Sequence, residues 1–149
     1  SDRSRVVRAY SDALVAGNPA KGQLVFNENC KVCHTLDKQE RIVGPDLRSL
    51  TNRSYQYLLT SILDPNQNIE PKYVSYSFEL KNGQVLSGLI SSEGSSSLTT
   101  LNSEGRSQTV LRSSIESVNR STVSIMPEGF ETKISPAEMS DLIEFIREL

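Results

Sequence analysis

Tryptophan is absent from this 149-residue chain, histidine occurs once, and cysteine and methionine occur twice each. One histidine rules out any pair of imidazoles built within the chain. Three Cys and His side chains in all fall short of the four ligands that a structural zinc site takes. Neither sign of charge dominates: 16 Lys and Arg face 18 Asp and Glu, for a net charge of −2. No basic surface therefore points to nucleic acid. No apolar run approaches the length of a membrane span. The opening residues Ser1-Asp2-Arg3-Ser4-Arg5 hold no hydrophobic signal core. The expectation is a chain whose signal has been removed, or a piece cut from a longer protein.

What is present is concentrated. Both cysteines and the histidine lie in Cys30-Lys31-Val32-Cys33-His34. Cys-x-x-Cys-His is the attachment signature of a c-type haem. Two thiols on one helical turn reach the two vinyl groups on one porphyrin edge and form thioethers. The following imidazole then lies under the iron as proximal ligand. A thioredoxin-like dithiol should sit near a βαβ pattern, and none surrounds these residues. A c-type haem in turn implies an extracytoplasmic, periplasmic location in a bacterium.

Around the motif the hydrophobic period changes twice. Val6, Val7, Tyr10, Ala13 and Leu14 recur at helical spacing, with Gly17 as the expected stop. Asn18-Pro19 opens a second helix that carries Gly22, Val25, Phe26 and Asn29 on one face toward Cys30. Tyr55, Leu58, Leu59, Ile62 and Leu63 form the stripe of a third, ended by Asp64-Pro65. From about residue 72 the period is two, and Asn82-Gly83 marks a hairpin. Five short strands are expected, as a small antiparallel barrel or sandwich. Ser135-Pro136-Ala137-Glu138 is a capping box for a last helix, with Met139, Leu142, Ile143 and Ile146 on its buried stripe.

The order Gly22-x-x-x-Phe26-x-x-x-Cys30-x-x-Cys33-His34, then Gly44-Pro45-x-Leu47, then Met126-Pro127, then an amphipathic helix resembles class I cytochrome c. Leu59-Thr60-Ser61-Ile62-Leu63-Asp64-Pro65-Asn66, Ile69-Glu70-Pro71-x-Tyr73 and Met126-Pro127-Glu128-Gly129 are similar to a haem-binding domain of planctomycetes and verrucomicrobia, which often ends large multidomain proteins. Leu80-Lys81-Asn82-Gly83-x-x-x-x-Gly88, Leu98-x-x-Leu101 and Ile115-x-x-Val118 are similar to a small Sm-like or SH3-like barrel. These resemblances imply an α+β chain. An all-α cytochrome c fold at 20–71 and 121–149 is interrupted by a five-stranded antiparallel β module at 72–120, and 1–19 is a helical extension.

The resemblance also implies roles. One haem c is bound through Cys30 and Cys33. His34 is the proximal ligand, and the Pro45 carbonyl accepts its other ring N–H. Met126 is the sixth ligand, with Met139 kept for the core; the competing reading leaves the iron open and Met126 packed on the haem edge. Phe26, Gly44, Leu47, Ile62 and Pro127 shape or support the pocket. Arg53 and Tyr55 are candidates for the propionates, against solvation for Arg53 and a core role for Tyr55. Asn66 and Asn68 belong to a turn or to the pocket.

The function expected is single-electron transfer with His/Met ligation, serving a dehydrogenase partner or a parent multidomain protein. The alternative is a gas or redox sensor with an open or displaceable sixth position. Peroxidase chemistry lacks its usual distal base, because the only histidine is already used. Edge strands of the β module offer a route to oligomers.

Overall fold

A computed structural model describes residues 3–37 and 43–149. Ser1 and Asp2 of the extension, and positions 38–42 of the haem-domain span, lie outside the described residues. The chain is α+β, with four α-helices among the described residues, α1 (Arg3–Asp12), α2 (Pro19–Asn29), α3 (Tyr55–Leu63) and α4 (Pro136–Arg147). Between α3 and α4 lie β1 (Tyr76–Leu80), β2 (Val85–Glu93), β3 (Ser97–Leu101), β4 (Ser107–Leu111) and β5 (Ile115–Arg120).

Local sequence sets the helix boundaries. The Asn18 side chain accepts from the Ala20 and Lys21 N–H groups, and Pro19 is the first residue of α2. Ser54 caps α3, a signal that its apolar stripe alone does not carry. Ser135 and Glu138 form the expected reciprocal capping box of α4. The first helix departs from its periodicity. It ends at Asp12, so Ala13 and Leu14 leave it as a turn before Gly17 is reached.

Gly17 and Gly22 instead serve a helix crossing. A Cβ at Gly22 would collide with the Asp141 carbonyl of α4, and one at Gly17 with the Ser140 carbonyl. Without side chains, α2 and the residues before it lie directly on the α4 backbone. Beside this contact the Phe26 and Phe145 rings are tilted, with centroids 5.3 Å apart. Phe26, Leu59, Leu63, Met139, Leu142 and Ile143 form the centre of the main core and are fully buried.

The N-terminal helix is part of this body. Val7 and Tyr10 of α1 join the main core, and the Tyr10 hydroxyl donates to the Ile134 carbonyl at 2.6 Å. Arg3 donates to both carboxylate oxygens of Glu131, at 2.6 and 2.8 Å, and to the Leu63 carbonyl. The hydrogen bond from Arg3 holds Glu131 below the ordinary carboxylate range.

All five strands pair antiparallel, in the order β4-β3-β2-β1-β5. Phe78, Leu80, Leu98 and Val110 fill the sheet's own core. Because β1 pairs with β5, Tyr76 stands opposite Arg120, and the Ser121 N–H donates to the Ser75 carbonyl at 2.9 Å. The two ends of the strand-rich stretch therefore meet, and the helical body is entered and left at one place. The period change near residue 72 first produces a 3-10 helix, Pro71–Tyr73, and the strand begins only at Tyr76. A third cluster joins sheet to body: Leu89 and Leu101 pack with Val43, against Cys33, Tyr73 and Ile125. The sheet thus reaches the haem-motif loop, which its sequence pattern as a separate module did not foretell.

Gly22→Ala should cost about 1–3 kcal/mol or more, because backbone rather than a movable side chain occupies the space. Gly94→Ala meets only ordinary contacts and should be nearly neutral. Urea unfolding of both variants checks this. Glu131→Gln should cost about 1–2 kcal/mol at neutral pH. A depressed carboxylate contributes its stability above the unfolded value, about 4.3. That contribution is lost as pH falls through the folded pKa. The gap between parent and variant should therefore close in acid, and unfolding curves from pH 7 to 3 will show whether it does.

Candidate functional site

The end of α2 builds the site. Cys30 is the C-cap of the helix, and its N–H donates to the Phe26 carbonyl at 2.8 Å. The Cys30 carbonyl then accepts the N–H groups of Cys33, at 3.1 Å, and His34, at 2.9 Å. One tight turn thus presents both thiols and the imidazole together. The thiols are unbonded to each other. Burial pushes Cys30 up to about 12, with a smaller contribution from Cys33, and burial also raises Cys33. Both stay protonated at neutral pH, unlike the thiolate of a reactive dithiol.

His34 is fixed from two sides. Its Nδ1 lies 2.9 Å from the Pro45 carbonyl. A carbonyl only accepts, so Nδ1 carries the proton and Nε2 keeps its lone pair free. Burial lowers the pKa of the ring, against the opposing pull of the Pro45 carbonyl, and keeps the imidazole neutral. The other constraint is Gly44, whose Cβ would lie 2.5 Å from His34 Cε1 and 2.8 Å from Nδ1. Glycine is required here by contact with the ring. The Gly44 N–H donates to the Cys33 carbonyl at 2.9 Å, which ties the loop back to the motif.

This donor set fits a haem c. Two thiols lie on one turn, a neutral imidazole has one nitrogen free, and a side-chain-less residue lies flat against the ring. Among the described residues no three His, Cys, Asp or Glu side chains are grouped so as to hold a metal ion by themselves.

The remaining sequence candidates divide. Leu47 and Ile62 are buried in the main core, and Met126 is half-buried at its edge. Pro127 is exposed. Met139 is fully buried within the core, on the stripe expected of it. Phe26 supports the site from behind, through Phe145 and the Cys30 N–H.

Tyr55 packs against the main core, as one of its two readings held, and both Arg53 and Tyr55 have partners within the protein. Arg53 donates to the carbonyls of Leu47, Arg48, Leu50, Ile146 and Arg147, and so joins the loop after the haem motif to the end of α4. Five backbone oxygens thus face its five N–H donors while the side chain stays half-buried. The Tyr55 hydroxyl donates to Glu144, and the Arg147 guanidinium lies 4.2 Å from its ring centroid. Tyr55 therefore joins α3 to α4.

Asn68 is exposed, whereas the Asn66 side chain binds the methionine segment. The Leu89 and Leu101 contacts to Cys33 and Val43 were also missed. Their apolar character in expected strands signalled a core, but not whose core it was.

Residues 19–91 match the family described as Cytochrome c. The match begins at Pro19 and takes in α2, the motif, α3, β1 and most of β2. Over these residues the chain is similar to a family of haem-binding electron carriers. Proteins of this family hold haem c covalently, and in bacteria their domains are typically extracytoplasmic. Among curated proteins, none matches the chain. Among the described residues, no helix is long and apolar enough to cross a membrane.

Gly44→Ala should push the imidazole off the Pro45 carbonyl, at a cost of about 1–3 kcal/mol. The visible spectrum of the haem-loaded variant should shift toward high spin relative to the parent.

Proposed function

We propose that the chain is a single-haem, single-electron carrier, with Cys30 and Cys33 as the covalent anchors and His34 Nε2 and Met126 Sδ as axial donors. The observation that carries this reading is the His34 ring, held at 2.9 Å by the Pro45 carbonyl and bounded by Gly44, directly after the two thiols. Bound in this site, haem supplies a one-electron ferric/ferrous couple.

The protein's part is to hold its donors still in both states and to keep water out. Pro45 fixes the tautomer and raises the basicity of Nε2. The main core closes behind Leu47 and Ile62. Met126 lies in an irregular segment bounded by Pro127 and by Gly129, whose φ of 98° favours glycine. That context suits a side chain presented across a ring. Met139, fully buried on α4, is committed to packing.

The partner is a redox protein, either a dehydrogenase or another domain of a parent protein, outside the bacterial cytoplasm. The strand order and the 3-10 helix Arg112–Ser114 between β4 and β5 support the Sm-like reading of the sheet. Its edges, β4 and β5, expose Leu111 and Val118 and offer a contact for oligomers.

The test is the haem-loaded protein. Haem should remain on the chain after acid extraction, the spectrum should be low-spin in both oxidation states, and the reduced form should resist carbon monoxide. Met126→Ala should open the iron, lower the potential and admit carbon monoxide, whereas Met139→Leu should leave the spectrum unchanged. Extractable haem would overturn the covalent reading. A parent that is high-spin and binds carbon monoxide readily would replace electron transfer with sensing.

A further inference from the structure

The segment that carries Met126 has few ties of its own. The Val123 N–H is held by the Ser121 hydroxyl, and Pro127 has no N–H to offer. Two long-range hydrogen bonds reach it from one side chain. Asn66 Oδ1 accepts the Ser124 N–H at 2.6 Å, and Asn66 Nδ2 donates to Glu128 Oε1 at 2.7 Å. The Ser124 hydroxyl in turn accepts the Met126 N–H at 3.2 Å. One amide thus grips the residue two before Met126 and the residue two after it, across 58 and 62 positions of chain.

Its own position is firm. Asn66 follows the buried Pro65 in a turn where the Gln67 N–H donates to the Asp64 carbonyl, directly after α3, whose Ile62 and Leu63 are in the main core. The geometry points to Asn66 as the positioning residue for the methionine ligand: it holds Met126 in its ligating register. The inference rests on Met126 being the sixth ligand. A thioether binds iron weakly, so its hold depends on how often the loop is in the competent arrangement.

The experiment uses the haem-loaded full chain and reads two things: carbon monoxide affinity of the reduced protein, and hydrogen-exchange protection of the Ser124 amide. Asn66→Ala removes both bonds and should raise carbon monoxide affinity about tenfold or more while exposing the Ser124 amide. The double variant Asn66→Asp, Glu128→Gln reverses the polarity of one bond and keeps the other acceptor, so it should return both readings toward the parent. Ser135→Ala, which removes the cap of α4, tests for general loosening and should move neither. Should Asn66→Ala not fold, Asn66→Asp alone sets two carboxylates against each other. It should then raise carbon monoxide affinity in a way that Glu128→Gln reverses, and no rise would overturn the inference.

Met126→Ala is run beside them. If it admits carbon monoxide while Asn66→Ala behaves as the parent, the positioning role falls and the ligand stands. If Met126→Ala binds carbon monoxide no better than the parent, the ligand reading falls and the role of Asn66 with it.

Discussion

The structure depends on the bare crossing of α2 and α4. At Gly22 and Gly17 there is no room for a Cβ against the Asp141 and Ser140 carbonyls. The approach brings Phe26 onto Phe145 and seats α2 rigidly on the core. The last turn of α2 becomes the haem motif, with the Cys30 N–H on the Phe26 carbonyl. Any rotation of α2 would move both thiols and His34 together. The crossing therefore fixes the site before any residue of the site makes a contact of its own.

Three arginine, tyrosine and asparagine contacts complete the frame. Arg53 bridges the loop after the motif to the C-terminal end of α4, where the Ile146 and Arg147 carbonyls accept its donors. Tyr55 ties α3 to α4 through Glu144. Asn66 ties the end of α3 to the methionine segment. Arg3 adds a fourth tie, from α1 to both the Leu63 carbonyl and Glu131. Each joins pieces far apart in sequence, and together they make the helical pieces on either side of the strands one body.

Much of this chain was legible from order and period. The caps at Asn18 and Ser135, the change from helical to alternating pattern, and the buried Met139 follow from local chemistry that reads the same in sequence and in space. The polar ties were not legible, for a physical reason. Arg3, Arg53 and Asn66 look like solvated residues unless the positions of distant carbonyls and amides are known, and those positions come only with the fold. Gly17 shows the same limit: as a glycine after a helix it reads as a stop, yet its use is contact with the Ser140 carbonyl. Leu89 and Leu101 are apolar strand residues, but that says only that they are buried and not what buries them.

The placement of the sheet explains how a long strand-rich stretch leaves the helical body intact. A loop's closure cost grows only slowly with its length, so the number of inserted residues matters less than the separation of their ends. Pairing of Tyr76 with Arg120 and of Ser75 with Ser121 brings those ends together and gives the strand-rich stretch a defined exit. That exit leads directly into the segment carrying Ser124 and Met126, while Leu89 and Leu101 press on Val43 and Cys33 at the motif loop. The sheet therefore touches both sides of the proposed ligand set, the loop next to His34 and the start of the methionine segment. A movement of the sheet relative to the helices would be felt at both, and the Asn66 bonds oppose it on the methionine side.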